Sequence, residues 1–203
     1  TALCEAAEKL AEETDVISAF RKLQQLHQEF RETGPVSSEL REEIWTRFKA
    51  ASTIINKRHQ EHFEKRKEEE QNNLDQKTAI CEAIEAIDLS SLTSFNEWNA
   101  KTEEITALQA KWKTIGFAPQ KMNVKIFERF RAACDKFFQS KAEYYKSVKD
   151  TLNQNLEKKK ALCEKAEELA ESTDWKQTTE TLVALQKQWK EIGSVPKKYS
   201  DSI

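Results

Sequence analysis

The stretch Trp112-Lys113-Thr114-Ile115-Gly116-Phe117-Ala118-Pro119 decides the fold of this chain, because variants of it occur three times. The other two versions are Phe30–Val36 and Trp189–Pro196, and the glycines of the three phrases are 82 and 77 residues apart. Every glycine and proline of the 203 residues lies within these phrases. Both residue types end helices, glycine through a left-handed C-cap and proline through its missing N–H group. The long segments between the phrases are therefore predicted to be helical.

The repeat extends on both sides of the phrase, which makes the period close to eighty residues. Upstream, Cys4, Cys81 and Cys163 occupy the same repeat position, and downstream the stretch 44–51 matches the stretch 126–133. A regular period of this size is typical of a repeat protein. We predict three copies, and the third ends before its last helix, so we expect the sequence to be a piece of a longer array. The predicted domains are repeat 1 at 1–72, repeat 2 at 73–155, and repeat 3 at 156–203 with its first two helices only.

Apolar residues at steps of three or four precede each phrase, and this spacing predicts an amphipathic second helix in every copy. In the second copy they are Trp98, Thr102, Ile105, Leu108, Trp112 and Ile115. We expect this helix to begin at Asp15 in the first copy and at Asp174 in the third. In the second copy, Ser94 and Glu97 have the spacing of a capping box.

A third helix follows each phrase, and nothing in the sequence ends it before the next copy begins. Residues 38–87 and 123–172 contain neither glycine nor proline. The predicted fold class is all-α: tandem three-helix up-down-up repeats, joined by long continuous helices into an elongated molecule. The charge runs 64–70 and 156–160 are predicted to be solvated linkers. The aromatic residues expected to fill the first two cores are Trp45, Phe48, Phe63, Phe127, Phe130 and Phe137.

Composition limits the classes of function. The net charge of −2 and a pI near 6.0 disfavour a dedicated binder of nucleic acid or anionic membranes. No run of eighteen apolar residues occurs, so no membrane span is predicted. The four cysteines lack the spacing of zinc ligands or of a disulfide framework, so we expect reduced thiols and a cytoplasmic location. At three of them we expect small core residues: Cys4, Cys81 and Cys163.

The sequence offers no catalytic centre. The three histidines are not repeated in the second copy; His59 and His62 share a helix face, but no third metal ligand is indicated. No phosphate-binding loop, zinc-protease motif or nucleophile elbow is present. We therefore expect no enzyme activity, no metal site, no catalytic residue and no cofactor.

Basic residues recur around each phrase and form the one candidate binding site. If they converge near the turn between the second and third helices, they would bind an acidic ligand such as RNA, DNA or an acidic helix. The alternative is that their stems pack over aromatic rings and their charges pair with neighbouring glutamates. The candidate residues are Arg31, Arg47, Lys49, Lys113, Lys121, Arg129, Arg131, Lys190, Lys197 and Lys198.

The phrase, followed by an aromatic helix at this period, resembles the bacterial family known as domain of unknown function 349. The first copy departs from the pattern, with Phe30 in place of the tryptophan, Thr33 in place of the isoleucine and Ser37 in place of the last proline. The architecture is also similar to spectrin-type three-helix arrays. The residues that carry the family signature are Phe30, Gly34, Trp112, Ile115, Gly116, Pro119, Phe127, Phe130, Trp189, Ile192, Gly193 and Pro196.

The family resemblance implies no activity, because the family's name records that none is assigned. From the repeat pattern we expect a non-enzymatic scaffold or spacer that mediates protein–protein interaction. Its partner is expected to be a protein, and self-association is left open. The alternative is nucleic-acid binding through the repeated basic residues near the turns.

Overall fold

The computed structural model describes residues 1–203 and contains six α-helices and no strand, so the chain is all-α as predicted. Two short 3-10 helices cover Leu89–Ser91 and Lys197–Tyr199. The α-helices are α1 (Ala2–Glu12), α2 (Val16–Glu32), α3 (Ser38–Glu85), α4 (Phe95–Thr114), α5 (Gln120–Glu168) and α6 (Trp175–Glu191).

The predicted helix starts are confirmed by their capping hydrogen bonds. The Asp15 carboxylate accepts from two backbone N–H groups of α2 at 3.1 and 3.0 Å. Ser94 and Glu97 form the capping box: the Glu97 N–H donates to the Ser94 hydroxyl at 3.3 Å, and the Ser94 N–H donates to the Glu97 carboxylate at 2.8 Å. The Asp174 carboxylate accepts from a backbone N–H of α6 at 3.1 Å. These bonds satisfy donors that a helix leaves without partners in its first turn.

The third helix of each of the first two copies continues without a break into the first helix of the next, as predicted. The resulting helices α3 and α5 are 48 and 49 residues long. The charge run 64–70 is exposed except for partly buried Glu70. The prediction of a solvated stretch at 156–160 is wrong for Leu156, which is only 5% exposed. The apolar stripe therefore continues through this segment of α5.

The chain divides into two compact units: unit one comprises Thr1–Ala83 with Ala107–Arg129, and unit two comprises Ile84–Thr106 with Phe130–Ile203. In unit one, a first core cluster is formed by Cys4, Ala7, Phe48 and Ala51, with Leu26, Phe30 and Ile44 packed against it. A second cluster is formed by Ala19, Leu23 and Ile55, with Leu10, Ala11 and Phe20 packed against it. Both clusters combine residues of α2 and α3 with residues of α1.

In unit two, the core of the second copy forms around Trp98 of α4, which is 2% exposed. Its ring centroid lies 5.4 Å from that of Phe137 and 5.6 Å from that of Tyr144, both on α5. The indole N–H donates to the carbonyl of Leu92 at 3.1 Å, so the polar atom of this buried ring is satisfied.

Among the predicted core aromatics, Phe48 and Phe137 are buried and Phe130 is partly buried. The prediction is wrong for three residues, which remain half-exposed: Trp45 (53%), Phe63 (49%) and Phe127 (52%). At two of these positions the preceding isoleucine, Ile44 or Ile126, packs inward. Successive residues of a helix are rotated by about 100°, so the aromatic that follows is turned away from the core.

Replacement of Phe48 by alanine should lower the free energy of unfolding by about 3–5 kcal/mol, because it empties a core position shared by three helices. Trp45→Ala, at a half-exposed position of the same helix, should cost less than about 1 kcal/mol. Urea denaturation followed by far-UV circular dichroism measures both values. Equal costs for the two variants would contradict the assignment of Phe48, rather than Trp45, to the core.

Candidate binding site at the Gly116 turn

Two of the ten predicted basic residues are held by acidic side chains. Arg47 forms a bidentate ion pair with Glu8, and both nitrogen–oxygen distances are 2.9 Å. The hydrogen bond from Arg47 holds the pKa of the Glu8 carboxyl below its ordinary value. The Arg131 guanidinium lies 3.6 Å from the Asp135 carboxylate, and Arg129 also has an interaction partner. For Arg47 and Arg131, the geometry therefore matches the alternative in which the cation is paired within the fold.

The remaining basic candidates are exposed and are distributed over both units. Unit one contains Arg31 on α2, Lys49 on α3, Lys113 on α4 and Lys121 on α5. Unit two contains Lys190 on α6, and Lys197 and Lys198 in the final 3-10 helix. No ion pair is found for any of these seven side chains.

The balance of charge differs between the first two turns. The segment 107–129, around Gly116, carries five basic residues and one acidic residue, Glu128. The same repeat positions in the first copy, 25–47, carry three basic residues and five acidic ones. Of these two turns, only the Gly116 turn has an excess of positive charge.

A cavity of about 340 Å³ adjoins the Gly116 turn within unit one. Three of its walls are aromatic: Trp112 is partly buried, whereas Phe117 and Phe127 are 78% and 52% exposed. No acidic side chain lines it. The lining residues are Lys77, Trp112, Lys113, Ile115, Gly116, Phe117, Asn123 and Phe127.

Lys77 of α3 lines this cavity with a largely buried side chain, since 6% of the residue's surface is exposed. Its ammonium nitrogen lies 5.2 Å from the centroid of the Trp112 ring, and burial lowers the pKa of this group. No carboxylate forms an ion pair with it. Lys159, 82 residues later, lies in the same way over Trp189 at 4.7 Å, but it is only partly buried.

Asn73, one helical turn before Lys77, holds the turn against α3. Its side-chain amide donates to the carbonyl of Phe117 at 3.0 Å. A Cβ atom on Gly116 would lie 2.8 Å from the amide nitrogen of Asn73, closer than Cβ atoms approach other groups in proteins. An alanine here would therefore have to displace the end of the asparagine side chain.

The third copy repeats this contact. Asn155 donates to the carbonyl of Ser194 at 2.9 Å, and a Cβ atom on Gly193 would lie 3.1 Å from its amide nitrogen. The predicted left-handed C-cap is wrong for Gly116 and Gly193, since only Gly34 has a positive φ, at 78°. Space around Gly34 is open, because no atom lies within 4 Å of the place where an alanine methyl carbon would be.

Sequence reasoning missed all four polar residues of these contacts: Asn73, Lys77, Asn155 and Lys159. They lie in or near stretches interpreted as solvated linkers, because each is polar in a charged environment. A signal was present, since each asparagine precedes its lysine by four residues and the two pairs are 82 residues apart. Polar residues that keep repeat spacing can be structural even where the apolar pattern weakens.

The turn of the first copy has a larger cavity, of about 620 Å³, lined by six of the same repeat positions. Phe30 and Trp45 take the places of Trp112 and Phe127, and their ring centroids are 6.2 Å apart. Glu42 and Arg41 both line it, so this cavity combines charges of both signs.

Helix α6 belongs to the third copy, for which the 203 residues contain no third helix. Trp175 occupies the repeat position of the buried Trp98 yet is 80% exposed, and no residue of α6 is buried. An apolar groove of about 360 Å³ runs between this helix and α5, and Leu162, Leu182 and Trp189 are among its lining residues.

The structure contains no group of three or more side chains that could hold a metal ion. His59 stacks on Phe20 with ring centroids 3.7 Å apart, so it packs between helices, and His62 is exposed. No disulfide joins any of the four cysteines; Cys4 and Cys81 are buried as expected, and Cys163 is partly buried. None of the helices combines the length and the apolar character needed to cross a bilayer.

The family model described as Domain of Unknown Function (DUF349) matches three segments of the chain, 1–39, 43–121 and 125–198. Together these segments span nearly the whole sequence. No curated protein and no solved structure matches the chain. The match therefore identifies a family and brings no biochemical activity with it.

Replacement of Gly116 by alanine should lower the free energy of unfolding by about 1 kcal/mol, because the added methyl group displaces Asn73 from the Phe117 carbonyl. In an Asn73→Ala background the same change should cost much less, which gives a coupling of about 1 kcal/mol in a double-mutant cycle. Gly34→Ala, strained by its positive φ instead, serves as the control and should show no coupling to Asn73. Additive costs for Gly116 and Asn73 would contradict the contact.

The ion pair of Glu8 and Arg47 should be visible in the pH dependence of stability. Because the folded pKa of Glu8 lies below its unfolded value of about 4.3, the stabilisation is present above that pH and is lost as the pH falls through the folded pKa. Arg47→Gln should raise the pKa of Glu8 toward its ordinary value in a carboxyl NMR titration. Lys49→Gln removes an exposed charge two residues further along α3 and should leave it unchanged; equal shifts in both variants would argue against a specific pair.

Proposed function

The chain belongs to the DUF349 family, and we propose that it is a non-enzymatic helical-repeat scaffold that binds proteins through its turns. One observation carries the proposal: the same repeat position exposes a large aromatic side chain in two copies, Trp45 at 53% and Phe127 at 52%. Exposed aromatic residues beside a concave surface are typical of the anchor points of protein interfaces.

The neighbouring cavities support this assignment. Each of the two exposed aromatics lines a cavity at its own turn, beside a second aromatic, Phe30 or Trp112. A protein that repeats such surfaces can contact a partner at several points, and avidity then strengthens modest individual contacts.

The lining of the Gly116 cavity also favours binding over catalysis. It contains no histidine, carboxylate, thiol or hydroxyl group from a side chain. Lysine is the one type of lining residue that also serves as a base or nucleophile, and no second catalytic group accompanies it in this cavity. The lysine, asparagine and aromatic side chains together are well suited to recognition.

Nucleic-acid binding is the second candidate, and it draws on the positive charge of the Gly116 turn. Exposed Lys113 and Lys121 could contact phosphates while Phe117 and Phe127 stack on bases, as in sites for single strands. The acidic excess at the first turn and the net charge of −2 weigh against a continuous track for a polyanion. We therefore favour a protein partner.

Site-specific photocrosslinking in the cells that naturally produce the protein tests this function. A benzophenone amino acid is placed at Phe127, at Trp45 or at Ile54, an equally exposed control position outside both cavities. We expect the same protein to be crosslinked from Phe127 and Trp45 and not from Ile54, and its binding to be reproduced with purified components. An adduct of two copies of this chain would make the partner a second copy.

Two outcomes of this experiment would overturn the proposal. Crosslinks that disappear on nuclease treatment would assign the turns to nucleic acid. Equal labelling from Ile54 would show that exposure alone, and no binding surface, produces the adducts.

A further inference from the structure

We propose that the cavity at the Gly116 turn binds an acidic segment of a partner protein, with a carboxylate on Lys77 and an adjacent large apolar side chain against Trp112 and Phe127. This inference rests on the proposed function and adds the chemical class of the ligand. It concerns the second turn, because the segment 107–129 has the excess of basic residues that the segment 25–47 does not have.

The side chain of Lys77 is largely buried, which removes part of the hydration of its ammonium group, and no carboxylate is paired with it. Such a group is unfavourable unless an opposite charge or a full set of hydrogen bonds offsets its lost hydration. Here the face of Trp112 at 5.2 Å provides the one contact found for the charge. A cation–π contact compensates only part of the lost hydration. A ligand carboxylate that enters the cavity would complete the environment of Lys77.

The aromatic walls of the cavity require an apolar group on the ligand. Phe127 and Phe117 are 52% and 78% exposed, so both leave apolar surface in contact with water. Small-ligand cavities begin at roughly 300 Å³, so the 340 Å³ at this turn suits one or two side chains of a peptide. An apolar side chain next to the acidic one would cover Phe127 while the carboxylate reaches Lys77.

The basic residues around the cavity favour a negatively charged ligand. Lys113 lines the cavity, and Lys121 and Lys125 are exposed on the first turns of α5. Glu128 is the one acidic residue in the segment 107–129. An acidic peptide would therefore be attracted at long range and held in a defined orientation at short range.

Neighbouring residues favour a peptide over a nucleic acid. The part of α3 that meets the turn through Asn73 also carries Asp75, and the run Glu68–Glu70 precedes it. A phosphate backbone needs basic residues spaced along its path, and carboxylates interrupt the basic residues along this part of α3. A single cation in a concave, partly apolar site matches one carboxylate better than a chain of phosphates.

Fluorescence anisotropy with a defined probe tests the inference on the full chain. The probe is a short labelled helical peptide of alternating pairs of leucine and glutamate, and its glutamine analogue is the control peptide. Lys77→Met keeps the buried stem without the charge and should weaken binding by about tenfold, the loss of one charge-assisted contact. Phe127→Ala should have a similar effect.

Trp45→Ala is the matched control variant, because it removes the half-exposed aromatic at the same repeat position of the first turn. It should change the affinity by less than about twofold. Circular dichroism establishes that each variant is folded, and the shift of the Trp112 indole N–H signal on titration locates the probe in the wild-type chain. If Lys77→Met does not fold, two other measurements test the inference. These are the affinity of the Lys113→Gln variant for the probe and the shift of the Trp112 indole signal in the wild-type chain.

The results separate this inference from the proposed function. Three results would overturn the acidic-ligand assignment. The glutamine peptide would bind as tightly as the glutamate peptide, Trp45→Ala would lose as much affinity as Lys77→Met, or the Trp112 indole N–H signal would not shift on titration. If crosslinks from Phe127 still identify a protein, the scaffold function stands with a different ligand class. Tighter binding of a single-stranded RNA than of the peptide, weakened by Lys77→Met, would assign the cavity to nucleic acid instead.

Discussion

The contact between α3 and the Gly116 turn is the constraint on which the candidate site depends. Asn73 approaches the turn closely because Gly116 has no side chain, and its hydrogen bond to the Phe117 carbonyl holds the turn against the helix. Lys77, one helical turn further along α3, lies against the face of Trp112. These two contacts join α3 to the turn at the wall of the cavity.

Helix boundaries were largely predictable from the sequence, because they are set by local chemistry. Glycine and proline end helices in this chain, and aspartate or serine caps bind backbone N–H groups within three residues. Asp15, Ser94 and Asp174 are therefore recognisable without any tertiary information. The continuity of α3 and α5 follows from the same rule, applied to fifty residues without a helix breaker.

Side-chain environments were less predictable, because they depend on which face of a helix meets its neighbour. The pairs Ile44 and Trp45, and Ile126 and Phe127, are adjacent in sequence, and hydrophobicity alone favours the aromatic as the core residue. The structure turns the isoleucine inward and leaves the aromatic half-exposed in both copies. Lys77 shows the reverse error, since a lysine in a charged stretch is rarely expected to be buried.

Lys77, largely buried without a paired carboxylate, and Phe127, a half-exposed ring, line one cavity, and this combination is the physical argument for a binding site. The lysine has lost part of its hydration, and the ring leaves apolar surface in water. In the third copy, Lys159 makes the equivalent contact with the ring of Trp189. Local conflicts with folding rules that cluster in space mark the places where a protein's surface serves something other than its own stability. At the Gly116 turn, a single ligand with one negative charge and one apolar group would resolve both conflicts at once.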